Sequence, residues 1–170
     1  LTARVPDMSE PSPAFTAAAL REFTQRIFVA VGLPSSDAAA VAELMTEADL
    51  HGADGHGIFR LPQYVKRIEG GAVNVRPDIC VIRRKGASAL VDGDNGMGHL
   101  VMRRAAVEAI ARAREQGVGW VGVRMSNHAG PAALYARMVA AADLIGIYLA
   151  VGNANHLAPW GGTDLLLSTN

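Results

Sequence analysis

The stretch from His99 to Met125 constrains the fold more than any other. HLVMRRAAVEAIARAREQG, residues 99–117, is alanine-rich with apolar residues at helical spacing, and a glycine closes it. The apolar run VGWVGVRM follows at once, at 118–125. A long amphipathic helix that passes straight into such a strand needs a sheet to pack on. Upstream, ICVIRR, KGAS and ALVDGD read as two short strands joined by a tight turn. Downstream, the polar loop SNHAG, a helix over 131–143, a further core strand IGIYLAVG and an apolar LLLSTN continue the alternation. The class is therefore α/β.

The first part of the chain reads as helical. Ser12-Pro13 offers an N-cap and a first-turn proline, after which Leu20, Phe23, Ile27 and Val31 recur at helical spacing up to Gly32. PSSD at 34–37 opens a second helix with Val41, Leu44, Met45 and Ala48 on one face. A third helix is expected from Gly57 to Ile68, with Leu61, Val65 and Ile68 buried and Gly70-Gly71 as its end. These readings divide the chain into a tail over 1–13, a helical part over 14–76 and an α/β core over 77–170.

Composition narrows the partners. With 19% charged residues and a net charge of zero over 170 residues, no excess of Lys and Arg exists to meet nucleic acid or an acidic membrane. Arg83, Arg84 and Lys85 read as a solvated turn. A single cysteine, Cys80, forbids an internal disulfide and favours a reducing, cytoplasmic setting. No apolar run is long enough to span a bilayer.

One motif is refused. GVGWVG at 117–122 matches G-x-G-x-x-G, but that fingerprint needs a strand before it and a helix after it, and here the order is inverted. Gly117 is read as a helix C-cap instead.

The chemistry concentrates in HGADGHGIFRLPQY, residues 51–64. On the expected third helix His56, Arg60 and Tyr64 fall four apart, stacked on one face. A 2-oxo or 2-hydroxy acid needs such a set: a planar cationic fork for its carboxylate and a donor titrating near neutrality for its carbonyl oxygen. Tyr64 either lines the same pocket or packs on a neighbour. Turn residues and a surface ion pair from Arg60 to Glu69 or Asp54 are the plainer readings. A metal reading through His51, Asp54 and His56 is rejected, because those residues straddle a helix end and a glycine turn with no supporting motif. In RMSNHAGPAALY, 124–135, a strand delivers Ser126, Asn127 and His128 to the start of a helix whose N–H groups suit a cofactor phosphate or amide. An ordinary capped loop fits the same residues equally well.

Taken together, HGADGHGIFRLPQYVKRIEGGAVN, MSNHAGPAALY and APWGGTDLLLSTN resemble the malate/L-lactate dehydrogenase family of nicotinamide-dependent oxidoreductases, from about residue 14 to the end. The resemblance implies a non-Rossmann, three-layer α/β core around a mixed, largely antiparallel sheet, preceded by helices, in a homodimer. It implies that His56 gives or takes the proton, that Arg60 holds the substrate carboxylate, and that His128, Ala129, Gly130, Pro131 and Ala132 lie along NAD or NADP. His128 is itself treated as an acid/base in some members, and Thr169 touches the substrate. Two departures accompany it. The family generally places serine before the histidine where this chain has Gly55, and its members run on well past Asn170. A C-terminal companion segment or chain is therefore expected. Gly55 keeps a second reading in play, a non-catalytic binding or regulatory relative.

Overall fold

The computed structural model describes residues 14–150 and 157–166. The tail over 1–13 and the last four residues of LLLSTN, including Thr169, lie outside the described residues. Helix α1 spans Ala17–Ala30, and Thr16 caps it, its Oγ1 accepting from the Ala19 N–H at 3.2 Å. The cap expected at Ser12 is replaced by this one. The buried stripe is also rotated from the expected one: Thr24 and Phe28 are buried, whereas Phe23 is 54% exposed. Phe28 joins the core of α2, Ser35–Leu50, whose Val41, Leu44, Met45 and Ala48 are all buried as the spacing predicts.

The expected single helix over 57–68 is instead two 3₁₀ turns, Asp54–His56 and Ile58–Arg60, followed by α3, Leu61–Glu69. Gly57 causes the break. It adopts φ −89°, ψ −139°, and the Asp49 carboxylate fills the space a Cβ would need. That carboxylate accepts from the Ile58 N–H at 2.9 Å, which pins the second turn to the end of α2. Pro62 falls in the first turn of α3, where its missing N–H costs nothing. Leu61, Tyr64 and Ile68 are buried, and Gly70 ends the helix.

Strands β1, Cys80–Lys85, and β2, Ser88–Gly96, form the expected antiparallel hairpin. Helix α4, Gly98–Gln116, then crosses one face of the sheet and ends at Gly117 in the left-handed conformation, φ 78°. Strand β3, Trp120–Ser126, returns parallel to β2. The sheet, ordered β1-β2-β3, is thus mixed, with one antiparallel and one parallel pairing. Val91, Val101 and Ala105 form the core between α4 and the sheet, with Ile79, Val81, Val121 and Val123 against them. Arg84 is no free turn residue: it lies on β1 and donates from Nε and Nη2 to Glu108 of α4, at 2.8 and 3.0 Å. Glu108 is buried, and this pair ties α4 to the hairpin.

Helix α5 is shorter than expected, Ala133–Ala140. IGIYLAVG gives no strand among the described residues. Burial still alternates over 144–149, with Leu144, Gly146 and Tyr148 half-buried against the helices. Ile145, Ile147 and Leu149 are 96, 83 and 71% exposed. The strand pattern is present, but no described neighbour offers a ladder for it to pair with. No helix among the described residues is long and apolar enough to cross a membrane.

Candidate active site

Because β2 and β3 run parallel, their C-terminal ends lie side by side, Gly96 opposite Ser126. The segments that leave these strands are the start of α4 and the loop 127–132, and crevices of this kind at strand ends are where open α/β sheets bind ligands. Two features clamp them together. A Cβ on Gly98 would overlap the Asn127 carbonyl oxygen, so only glycine permits the approach. The Asn127 amide donates to Asn95 O, Asn95 Oδ1 and Gly96 O at 2.8 to 3.0 Å, and its Oδ1 accepts from Arg67 at 2.9 Å.

His128 is thereby presented at the mouth of this crevice, against the two 3₁₀ turns and α3. Its ring stacks on His56 with centroids 5.6 Å apart and planes 18° apart. The Tyr64 hydroxyl lies 2.7 Å from its Nδ1. His56 and Tyr64 therefore meet through His128 rather than along one helix face, which the break at Gly57 rules out. Tyr64 is only 4% exposed, with its hydroxyl engaged by the histidine. Arg60 donates from Nε to Gly55 O at 2.7 Å and from Nη1 to Gln63 Oε1 at 2.8 Å. Among the described residues one N–H on Nη1 and both on Nη2 have no acceptor, which leaves donors for a carboxylate.

The electrostatics favour an anion. His128 titrates below its ordinary range because partial burial disfavours its charge and because Arg60, His56 and Arg67 are cationic or can be. Behind it, His99 on the first turn of α4 is completely buried, edge-on to Tyr64 at 88°. Neither of its ring nitrogens has a hydrogen-bond partner among the described residues. Burial, with His128 nearby, pushes its pKa down to about 3, so the ring is neutral.

The loop 128–132 is built of small residues. Ala129 is buried, and its carbonyl accepts from the buried Tyr135 hydroxyl. Gly130 has φ +74°, and a Cβ there would stand 3.0 Å from His99 Nε2. At the start of α5 the Leu134, Tyr135 and Ala136 N–H groups donate to the Pro131 and Ala132 carbonyls at 3.2 Å. No group of three or more potential metal ligands occurs among the described residues. Two surface hollows formed by the described residues lie elsewhere, one beside Trp120 on the open sheet face and one between Ile79 and Arg103.

Sequence spacing points to His56, Arg60, Tyr64 and the 128–132 loop. It assigns no role to Asp49, which pins the turns, or to His99. The one signal for His99 is a histidine on the face of α4 that also carries Met102 and Ala106.

The malate/L-lactate dehydrogenase family profile matches residues 15–170. The chain belongs to this family. It is 43% identical over 151 residues to a malate dehydrogenase of Pyrococcus abyssi, covering 89% of this chain and 41% of that protein. An L-sulfolactate dehydrogenase of Methanocaldococcus jannaschii is 39% identical over 139 residues, covering 82% of this chain and 40% of its own length. Among solved structures, malate dehydrogenase of Pyrococcus horikoshii OT3 superposes with a TM-score of 0.71 at 42% identity, over 74% of this chain and 36% of that one. The chain spans about two-fifths of the length of the curated relatives it matches.

Proposed function

We propose that this chain carries the substrate-contacting residues of a nicotinamide-dependent oxidoreductase that interconverts a small 2-hydroxy acid and its 2-oxo acid. The observation that supports this reading best is the stacked His56–His128 pair with the Arg60 guanidinium close enough to act on His128 electrostatically. A carboxylate held end-on by Nη1 and Nη2 of Arg60 sets the adjacent carbonyl or hydroxyl oxygen within reach of a ring nitrogen on His56. That nitrogen gives a proton to the oxygen in reduction and takes it back in oxidation. His128 faces the same oxygen from the neighbouring ring. Arg60 and Arg67 add a positive field that retains an acidic substrate. The names of the relatives, malate and sulfolactate dehydrogenase, fit the same substrate class.

The donor set itself calls for a redox partner. Imidazole, guanidinium and phenol move protons and bind anions, but none of them gives or accepts a hydride. NAD or NADP, when bound, supplies that step. The small side chains of Ala129, Gly130, Pro131 and Ala132 suit the approach of a flat ring. Thr169 we assign to the substrate by the family resemblance alone. We further assign the helical part over 14–76 to substrate and the part from 77 onward to cofactor. The working assembly is a cytoplasmic homodimer in which a companion segment covers Ile145, Ile147 and Leu149, since apolar side chains this exposed gain about 25 cal/mol per Å² on burial.

The test is nicotinamide absorbance during incubation of the full assembly, companion segment included, with a panel of 2-oxo acids. Turnover is expected, with His56→Ala lowering kcat by roughly two to four orders of magnitude while cofactor binding persists. Binding of the acids without any absorbance change would refute the catalytic reading and leave a binding protein.

A further inference from the structure

We infer that Tyr64 is a positioning residue which, together with the Gly130 N–H, holds His128 as the tautomer protonated on Nε2, so that His128 donates a hydrogen bond while His56 moves the proton. The division of labour rests on the function proposed above; the tautomer does not.

Two contacts converge on His128 Nδ1. The Tyr64 hydroxyl stands 2.7 Å away, but a phenol can donate or accept, so this bond alone leaves the tautomer open. The Gly130 N–H is farther, at 3.4 Å, and a backbone amide can only donate. A ring nitrogen that faces an amide donor must offer its lone pair. Nδ1 is then unprotonated, the phenol donates as well, and the single ring proton sits on Nε2.

The surroundings keep the ring in that neutral form. The groups that face it are Arg60 and His56 from the 3₁₀ turns, Arg67 and Tyr64 from α3, and His99 from α4. The cationic ones oppose a second ring proton. Burial pushes the Tyr64 phenol well above its ordinary pKa, so it remains a donor across the neutral range. No carboxylate hydrogen-bonds to His128 among the described residues, so nothing there stabilises an imidazolium as a buried aspartate would.

The phenol itself is held in place. Its ring lies between Phe28, at 6.5 Å and tilted by 40°, and the edge-on His99 at 5.6 Å. Neutral His99 forms a wall behind Tyr64 and makes no hydrogen bond to its hydroxyl among the described residues. A neutral imidazole presenting Nε2–H polarises a substrate oxygen without surrendering its proton, the use made of a neutral histidine in other active sites.

The ring tautomer is read directly from ¹⁵N NMR of the histidine side chains in the ¹⁵N-labelled protein, above the pH at which His128 titrates. The expected result is a pyridine-type signal at His128 Nδ1 and a pyrrole-type signal at Nε2. In Tyr64→Phe, which keeps the ring and removes only the hydroxyl, the Gly130 contact, at 3.4 Å, is too long to hold the tautomer alone, and the pyridine-type Nδ1 signal should give way to a tautomer average. A cross-hydrogen-bond coupling from the Tyr64 hydroxyl proton to His128 Nδ1 in the unmodified protein gives the same reading without any substitution. A pyrrole-type Nδ1 in the unmodified protein would overturn the inference. An Nδ1 signal unchanged in folded Tyr64→Phe, or absence of the coupling, would remove Tyr64 from it. None of these readouts needs turnover. A protein with the expected tautomer that oxidises no hydroxy acid would thus fail the proposed function alone, and turnover with a protonated Nδ1 would fail this inference alone.

Discussion

His99 offers a sharp test of the site's electrostatics, because its burial makes folding compete with protonation. In the folded protein the ring resists protonation down to a pH of about 3, against an ordinary value of 6.5. Between these values the unfolded chain binds a proton that the folded chain does not. The contribution of the neutral ring is therefore fully present above pH 6.5 and is lost progressively as the pH falls toward 3. The loss amounts to about 1.4 kcal/mol per pH unit, or about 2 kcal/mol by pH 5. The Asp92 and Glu108 carboxyls, held low by their hydrogen bonds and arginine partners, also destabilise the fold on acidification. His99→Leu separates the two effects, since those carboxyls titrate alike in both proteins. Urea unfolding at pH 8, 6 and 5 measures both stabilities. Above pH 7 the difference between the proteins should be constant, whatever packing the leucine achieves. By pH 5 the unmodified protein should have lost about 2 kcal/mol relative to the variant. A difference that stays flat from pH 8 to 5 would mean that His99 gains a proton or a partner in the folded state, and the reasoning would fail.

Three further outcomes are expected. Arg60→Lys keeps the charge but cannot bond Gly55 O and also present a fork, so kcat/KM should fall at least about tenfold, roughly 1.4 kcal/mol, with a raised KM in steady-state kinetics; unchanged kinetics would remove Arg60 from substrate binding. Gly55 does not have a positive φ, and a Cβ there meets no atom within 4 Å, so Gly55→Ser should leave thermal stability within about 0.5 kcal/mol and preserve or raise activity. A loss of activity with the fold intact would show that this chain has no use for the family's hydroxyl. Phe28→Ala should cost about 3 to 5 kcal/mol in urea unfolding and Phe23→Ala less than about 1, the reverse ranking being incompatible with the observed face of α1.

Elements with strong local signals are legible in the residues themselves. Helix α2 has a start signal and a full apolar stripe, α4 has its αL glycine at Gly117, and the β1–β2 hairpin has its tight turn. The rejected GVGWVG motif falls as expected, with Gly117 as the cap and Gly119 and Gly122 in the return to and along β3. Where the fold departs from the local pattern, contacts distant in sequence decide. Phe23 and Phe28 satisfy helical spacing about equally well, and the side that meets α2 selects Phe28. Nothing local shows that Asp49 occupies the place of a side chain at position 57, so spacing alone suggests a continuous helix. IGIYLAVG has strand periodicity, and periodicity cannot supply the neighbour that a ladder needs.

The site divides in the same way. Residue chemistry is a local property, so the sequence by itself could name an imidazole, a guanidinium and a phenol near one another and match them to a 2-oxo acid. Their mutual geometry is not local. His56 and His128 are 72 positions apart in sequence (128 − 56), and only the parallel return of β3 beside β2 brings the second ring onto the first. The same closure sets the Tyr64 hydroxyl on Nδ1 and buries a neutral histidine behind it. Sequence determined which functional groups the chain carries. Tertiary structure decided which nitrogen is free to act, because hydrogen-bond direction and desolvation depend on neighbours that only the closed fold assembles.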